Sequence, residues 1–489
     1  MAEVHRLLRS SPESQGVSAG AITAFLEGIE HSRQELHSLM VLRKGAVVAE
    51  GAWAPYTMER QHMLFSLTKS FTSTAVGFAA ASGLLSTEDK VTSFFPSELT
   101  GVAGPHMREM KVKHLLTMST GHAKDPMELM YADPDGDWVR AFFLAEPEEV
   151  PGTHFVYSSG ASHILAAIVQ QVTGQKLADY LRPRLFEPLG IEDPKWDTCP
   201  LGRNTGGFGL NLRTEDVAKF GQLYLQEGEW NGQQLIPASW ISEATSLQIE
   251  NPGGWGMDWS QGYGYQFWMC CHGAYRGDGA FGQYCIVLPQ QEAVIVMTGG
   301  HEDMQQVLNL VWEHLLPGLA LPAEAEHRSL AGGVDSEKSQ GVLHKKLQTL
   351  GLSLPKVRAV PYQALNRSGQ RYKLTDNSYH IDVVEFEFAG AFSALGIHRD
   401  GTQNTLICGS GEWIENRVTL GGSAHLIAAA GYWQNEDTFV MIWRWLQMPF
   451  CDTFTCRFGD ERLTIDSIRN VNVGLGQFPQ VVGTLYTDH

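Results

Sequence analysis

The chain has 489 residues, which at roughly 150 per domain allows about three folding units and no fewer than two. Hydrophobic residues make up 43% and charged residues 18%, so large cores can form and extensive disorder is excluded. The formal net charge of −18, with no Lys/Arg run longer than His344-Lys345-Lys346, excludes a nucleic-acid partner.

The N-terminus, MAEVHRLLRSSPESQ, has no apolar run of the length a signal peptide needs, and no apolar stretch is long enough to span a membrane. The expectation is a soluble, cytoplasmic protein without a membrane partner. Seven cysteines with no C-x-x-C pair argue against a disulfide framework or a zinc site and read as buried free thiols, although Cys451 and Cys456 could pair if oxidised.

In chain order, Ser18 to about His31 has a serine cap followed by apolar positions at Ile22, Phe25, Leu26 and Ile29, which predicts a helix. Leu36 to Ala54 predicts a hairpin around Lys44-Gly45. A helix is expected from about Ser66 to Ala81, ended by Gly83. Between about 87 and 200 helical patterns dominate, notably DWVRAFFLAE, SHILAAIVQQVTG and LADYLRPRLFEPLG. Another amphipathic helix runs from Leu212 to Leu225 with Thr214 as its N-cap. Strands follow at Tyr263–Met269, Gly282–Leu288 and Ala293–Thr298, then a helix from Met304 to Leu316.

The fold class predicted is therefore α+β over 1–320: an antiparallel sheet flanked by helices, with an all-helical insertion at about 87–200. Residues 321–354 are small, polar and Gly-containing and read as a linker. Beyond Pro355, six or more short strands at intervals of about ten residues predict a C-terminal all-β barrel or sandwich over 355–489.

The chemistry centres on Phe65-Ser66-Leu67-Thr68-Lys69-Ser70. Ser66 and Lys69, three apart at a helix start, project from one face. A serine hydroxyl is a poor nucleophile until a base takes its proton, and a lysine is a poor base until its pKa falls from about 10.4 towards 7. Burial beside a helix N-terminus can supply that fall. Tyr157, in Tyr157-Ser158-Ser159, opens a later helix; held beside Lys69, it is expected to lose its proton more readily and to act as acid and base. The segment Arg276-Gly277-Asp278-Gly279-Ala280-Phe281-Gly282-Gln283 is a Gly-rich strand edge whose amides could face an oxyanion.

With these three segments in order, the sequence resembles the serine β-lactamase-like hydrolases of the penicillin-binding-protein superfamily, in the branch of class C β-lactamases, D-aminopeptidases and family VIII-type esterases. The resemblance covers about residues 10–316 and includes FSLTKSFTSTAVGFAAASGLLSTEDKVTSFFP, VKHLLTMSTGH, PGTHFVYSSGASHILAAIVQQVTG and LFEPLGI. It implies Ser66 as the acylated nucleophile, Lys69 as its activator and Tyr157 as partner acid/base. Ser159 would stand where the family has Asn or Ser, and the N–H groups of Ser66 and Ala280 would form the oxyanion hole. Asp278, Gly279, Phe281 and Trp268 are expected to contact substrate. No cofactor and no metal are called for.

One departure stands out. Where the family usually has Lys-Thr-Gly or His-Thr-Gly, this chain has Gly277-Asp278-Gly279. The missing cation removes an anchor for a substrate carboxylate, unless Arg276 substitutes for it. The expected partner is a small ester, amide or short peptide, with β-lactam or DD-peptidase chemistry, or non-catalytic ligand binding, as alternatives. Trp255, Trp259, Tyr263, Tyr265 and Trp268 could wall an acyl pocket or pack in the core; His272 and His301 are expected to be packed or exposed polar residues. The C-terminal domain is expected to cap the site or mediate homo-oligomer assembly.

Overall fold

In a computed structural model, residues 6–96, 103–253, 255–319, 334–390, 392–399, 401–472 and 478–486 are described. They fall into two compact units. One is drawn from Met1–Ala52, Met58–Gly299 and Asp303–Thr349; the other from Trp53–Thr57, Gly300–Glu302 and Leu350–His489.

The first unit is built on a seven-stranded sheet. Its strands are β1 (Leu8–Arg9), β2 (Leu36–Arg43), β3 (Ala46–Ala52), β4 (Trp268–Met269), β5 (Tyr275–Gly279), β6 (Gln283–Leu288) and β7 (Ala293–Gly299), in the order β1-β3-β2-β7-β6-β5-β4. All pairs are antiparallel except β1 with β3. Lys44 and Gly45 both have positive φ (50° and 77°), the geometry that a two-residue hairpin turn demands. The first and last segments of the unit thus share one sheet, as the order of patterns predicts.

Helix α1 (Ala19–Ser32) is capped by Ser18, whose hydroxyl accepts from the Ala21 N–H. Helix α2 (Thr68–Ala81) is buried along almost its whole length, which explains a sequence with no charged face beyond Lys69. Its Phe71 stacks on Phe220 of α4 (Thr214–Leu225), ring centroids 4.0 Å apart. The expected cap of α4 shifts by one residue: Arg213 is the N-cap, and the Thr214 hydroxyl instead bonds Ser38 at 2.7 Å. The helical insertion contains α3 (Ser159–Thr173) and several short helices, beside a small sheet of His62–Met63, Lys195–Trp196 and Leu210–Leu212. Helix α5 (Met304–Leu310) continues into a wider turn over Val311–Leu315.

The segment read as a linker contains a helix. Residues 320–333 lie outside the described residues, but α6 (Val334–Gln348) is a helix that packs on α1, with Leu343 buried and Lys346 Nζ 2.9 Å from Glu30 Oε2. Its apolar periodicity is weak and Gly341 interrupts it, so tertiary contact rather than pattern fixes it.

The second unit is a barrel. Ten strands are described: β8 (Gln370–Leu374), β9 (Val383–Ala389), β10 (Phe392–Arg399), β11 (Thr402–Gly409), β12 (Ile414–Leu420), β13 (Ser423–Trp433), β14 (Thr438–Trp445), β15 (Cys451–Phe458), β16 (Arg462–Arg469) and β17 (Val481–Tyr486). They run in the order β11-β10-β9-β8-β17-β16-β15-β14-β13-β12, and a bridge between Gly409 and Ala430 joins β11 to β13. Nine strands therefore close a ring and β12 lies outside it. Two asparagines tie β12 to β11. Asn416 Oδ1 accepts from the Ile407 N–H at 2.7 Å while its Nδ2 donates to the Ile407 carbonyl at 2.9 Å, and Asn404 Oδ1 accepts from the Thr419 N–H at 3.1 Å.

Val384, Phe386 and Phe388 alternate inward along β9, the period-two pattern of a barrel wall. The interior is filled: a cavity of about 40 Å³ lined by residues including Tyr379, Phe386, Trp443 and Phe454 is well below the roughly 150 Å³ that accepts benzene. Cys451 and Cys456 sit five apart on β15, on opposite faces, and all seven cysteines are free. No helix among the described residues is long and apolar enough to cross a membrane.

Candidate active site

Ser66 lies in a short 3-10 turn, Phe65–Leu67, that leads directly into α2. Phe65 has φ of 47°, a left-handed conformation that costs a non-glycine residue roughly 1–3 kcal/mol and that marks functional turns. One helical turn on, Lys69 is 1% exposed, and its Nζ is 3.1 Å from Ser66 Oγ, 3.0 Å from Ser159 Oγ and 2.8 Å from the Gly207 carbonyl. Among the described residues no carboxylate forms an ion pair with it. Burial therefore dominates and lowers its pKa to about 7, against weaker opposing pulls from Asp125 and Asp278.

Tyr157 shares a hydrogen bond with Ser66, and Lys69 Nζ sits 4.8 Å from the centre of its ring. Four residues distant in sequence (Ser66, Lys69, Tyr157 and Ser159) thus meet at one place. The expected ionisation of Tyr157 is corrected. Burial, and next the Asp278 carboxylate, push the phenol's pKa up, so that it keeps its proton at any physiological pH.

The backbone around these groups is held by residues that carried no sequence motif. Asp125 accepts from the N–H groups of Ser159 and Gly160 and from the Ser158 hydroxyl (2.7, 3.1 and 2.9 Å), fixing the start of α3. Gln266 accepts from Ser162 and donates to the carbonyls of Leu115 and Leu116, while its own carbonyl accepts from Ser70. Gly206 and Gly207 bring a carbonyl to Lys69; a Cβ on Gly206 would fall 2.0 Å from the Ser162 carbonyl oxygen. The paired glycines were the one visible signal among these.

Strand β5 passes close to the serine turn. A Cβ on Gly279 would lie 2.0 Å from the Leu64 carbonyl oxygen, and one on Gly277 would lie 2.6 Å from Ser70 Oγ. Only glycine permits that approach. Ala280 follows directly, and the ring of Phe281, at φ of 68°, meets Phe65 edge-on at 5.5 Å.

On the other face of β5 lies a buried ion pair. Arg276 Nε donates to Asp278 Oδ2 at 2.9 Å, and Arg276 Nη1 donates to the Asp258 carbonyl and Cys270 Sγ, both at 2.9 Å. The guanidinium also sits 4.3 Å over the Trp259 ring. Arg276 is fully buried and committed, so it does not replace the missing cation of the third motif. Asp278 and Trp268 are buried too. The Trp268 side chain lies close enough to Asp278 to favour its charged form, and its ring stacks on Tyr157 at 5.4 Å. Trp259, Tyr263 and Tyr265 are core residues, whereas Trp255 is 73% exposed with its ring 5.6 Å from that of Tyr157. His272 is exposed and His301 buried. Among the described residues no His/Cys/Asp/Glu cluster could hold a metal.

The β-lactamase family model matches residues 27–307, more than half of the chain. The chain belongs to the β-lactamase family. A 6-aminohexanoate-dimer hydrolase of Paenarthrobacter ureafaciens is 26% identical to this β-lactamase-family chain over 326 residues, covering 62% of it and 82% of the relative. Penicillin-binding protein 4 of Amycolatopsis lactamdurans is 27% identical over 357 residues, covering 63% and 87%. Among solved structures, a penicillin-binding protein homologue from Caulobacter crescentus superposes with a TM-score of 0.52 at 15% identity, over 64% of this chain and 99% of that one. That likeness shows a shared fold. Family and relatives together make this a member of the serine β-lactamase and penicillin-binding-protein superfamily of hydrolases.

Proposed function

We propose that this protein is a serine hydrolase that cleaves a small ester or amide through an acyl-enzyme on Ser66. The observation that carries the reading is the buried Lys69 ammonium 3.1 Å from Ser66 Oγ, with neutral oxygens for partners. The Gly207 carbonyl can only accept, so a neutral Lys69 keeps its N–H bonds on Gly207 and Ser159 and turns its lone pair to Ser66. Lys69 then takes the Ser66 proton as oxygen attacks the carbonyl carbon. Tyr157, still protonated, gives its proton to the leaving alkoxide or amine and regains one from Lys69. The N–H groups of Ser66 and Ala280 hold the oxyanion, each worth about 3 kcal/mol or more. Water, deprotonated by the same pair, releases the acid.

The substrate proposed carries no carboxylate at the third-motif end, because Arg276 is consumed by Asp278 and offers no anchor there. Gly279, Phe281, Ser159 and the exposed ring of Trp255 are the surfaces it meets. The name of the 6-aminohexanoate-dimer hydrolase of Paenarthrobacter ureafaciens supports hydrolysis of a small molecule, and that of a lovastatin esterase from Penicillium rubens, 30% identical over 168 residues (30% of this chain, 42% of the relative), supports esters among the candidates.

The test compares wild type with Ser66→Ala on p-nitrophenyl acetate, D-aminoacyl amides and nitrocefin, with intact-mass detection of an acyl adduct. Serine-dependent release from esters or amides, with little from nitrocefin, is expected. No release and no adduct on any substrate would end the reading; preferential release from nitrocefin would replace it with β-lactamase activity.

A further inference from the structure

The Arg276–Asp278 pair lies where the family's third motif usually places a cation, yet both partners are buried. Asp278 is 7% exposed and Arg276 is fully enclosed, so neither presents its charge to a ligand. Three observations connect the pair to the reacting groups. The Trp268 side chain lies close enough to Asp278 to favour its charged form. The Trp268 ring lies nearly parallel to that of Tyr157, 21° between planes and 5.4 Å between centres. Strand β5, which carries the pair on one face, presses its glycines against the Ser66 turn and Ser70 with the other.

We propose that Asp278 is a positioning residue for the serine hydrolase reaction: clamped by Arg276, it holds Trp268 against Tyr157 and supplies the negative charge that keeps Tyr157 protonated as the acid of the reaction. The inference rests on the hydrolase reading and deepens it. In this scheme Asp278 is not a substrate contact and is not itself a catalytic residue.

The charges acting on each group fix the direction of its effect. Lys69 feels Asp125 and Asp278, both favouring its protonated form. Tyr157 feels Asp278 and Asp125, which oppose its ionisation, and Arg276, which favours it; Tyr263 packs against the same ring. Arg276 in turn opposes the field of Asp278, and its own charge is favoured by Cys270, Asp278 and Asp258. Without Asp278, Lys69 holds its proton less tightly and Tyr157 ionises more readily. The Arg276 charge left behind acts in the same sense on Tyr157.

The experiment compares kcat and KM from pH 5 to 10.5 for wild type, Asp278→Asn and the double variant Arg276→Gln/Asp278→Asn, on the best substrate from the panel. Circular dichroism melts accompany each variant. Loss of the clamp should cut kcat about ten- to a hundredfold, the size expected for a misplaced group, with KM changed less than about twofold. The acidic limb of kcat/KM should move to lower pH by about half a unit or more in both variants. A purely structural role would lower amplitude without moving the limb, and a substrate anchor would raise KM at fixed kcat; either result overturns the proposal. If Asp278→Asn fails to fold, the charge-free double variant gives the same readout. If wild type shows no Ser66-dependent turnover, the hydrolase reading fails first, which separates the two failures.

Discussion

Each unit of the protein buries a charged side chain, and the two are treated in opposite ways. In the barrel, Asp452 is fully enclosed, yet both of its oxygens are met by donors. Tyr379 Oη, Trp445 Nε1 and Arg469 Nη2 donate to Oδ2 at 2.7–2.8 Å, and Arg469 Nε donates to Oδ1 at 2.6 Å. In the α+β unit, Lys69 is as deeply buried but has only a carbonyl and two hydroxyls. A charge matched by its counter-ion is an architectural element. A charge left with neutral partners is a poised base, destabilised in its protonated state and ready to exchange its proton.

The comparison breaks most sharply at Ser66. Ser66→Ala should lose about 10⁴-fold or more in kcat, with no adduct by intact mass and an unchanged melting profile. Lys69→Met should lose about 10³-fold in activity yet melt higher than wild type near pH 7. The sign follows from linkage: a lysine whose folded pKa is lowered to about 7 from 10.5 destabilises the fold below pH 7 by up to about 5 kcal/mol. That cost fades as pH rises from the folded value towards the unfolded one, so the thermal advantage of the variant should shrink steadily from pH 7 to pH 10.

Asp452→Ala is the converse case. Leaving Arg469 buried without its counter-ion should destabilise the barrel by about 3 kcal/mol, read as an earlier transition in guanidinium unfolding, while kcat stays within about twofold. Wild-type kcat/KM should rise through about pH 7 as Lys69 loses its proton and show no fall up to pH 9, since Tyr157 stays protonated there. The smallest effect is expected at Trp255→Ala: a few-fold rise in KM, with the pH profile unmoved.

Much of this was legible in the chain. The spacing of Ser66 and Lys69 determines a shared helix face, and the glycines of β5 announce a close backbone approach without saying what approaches. The direction of the Tyr157 shift was not legible, because it depends on Trp268, Tyr263 and Asp278 closing around the ring from segments more than 100 residues away. Asp125 and Gln266 act through backbone groups and leave no pattern. Helix α6 was read as linker because its residues favour solvent on most faces; only Leu343 and Lys346 betray a partner. In the barrel, alternation marked the strands, but which strand lay outside the ring depended on pairings that sequence alone does not state.

The amide side chains of Asn404 and Asn416 imitate peptide groups and fasten β12 to β11, beside the Gly409–Ala430 bridge that closes the ring. A zipper with so few teeth has a definite place to part. Amide protons of Ile407 and Thr419 should exchange with solvent earlier than those in the continuous ladders of β14 and β15. Conversion of either asparagine to aspartate, with ageing, would remove a donor and introduce a charge at the seam.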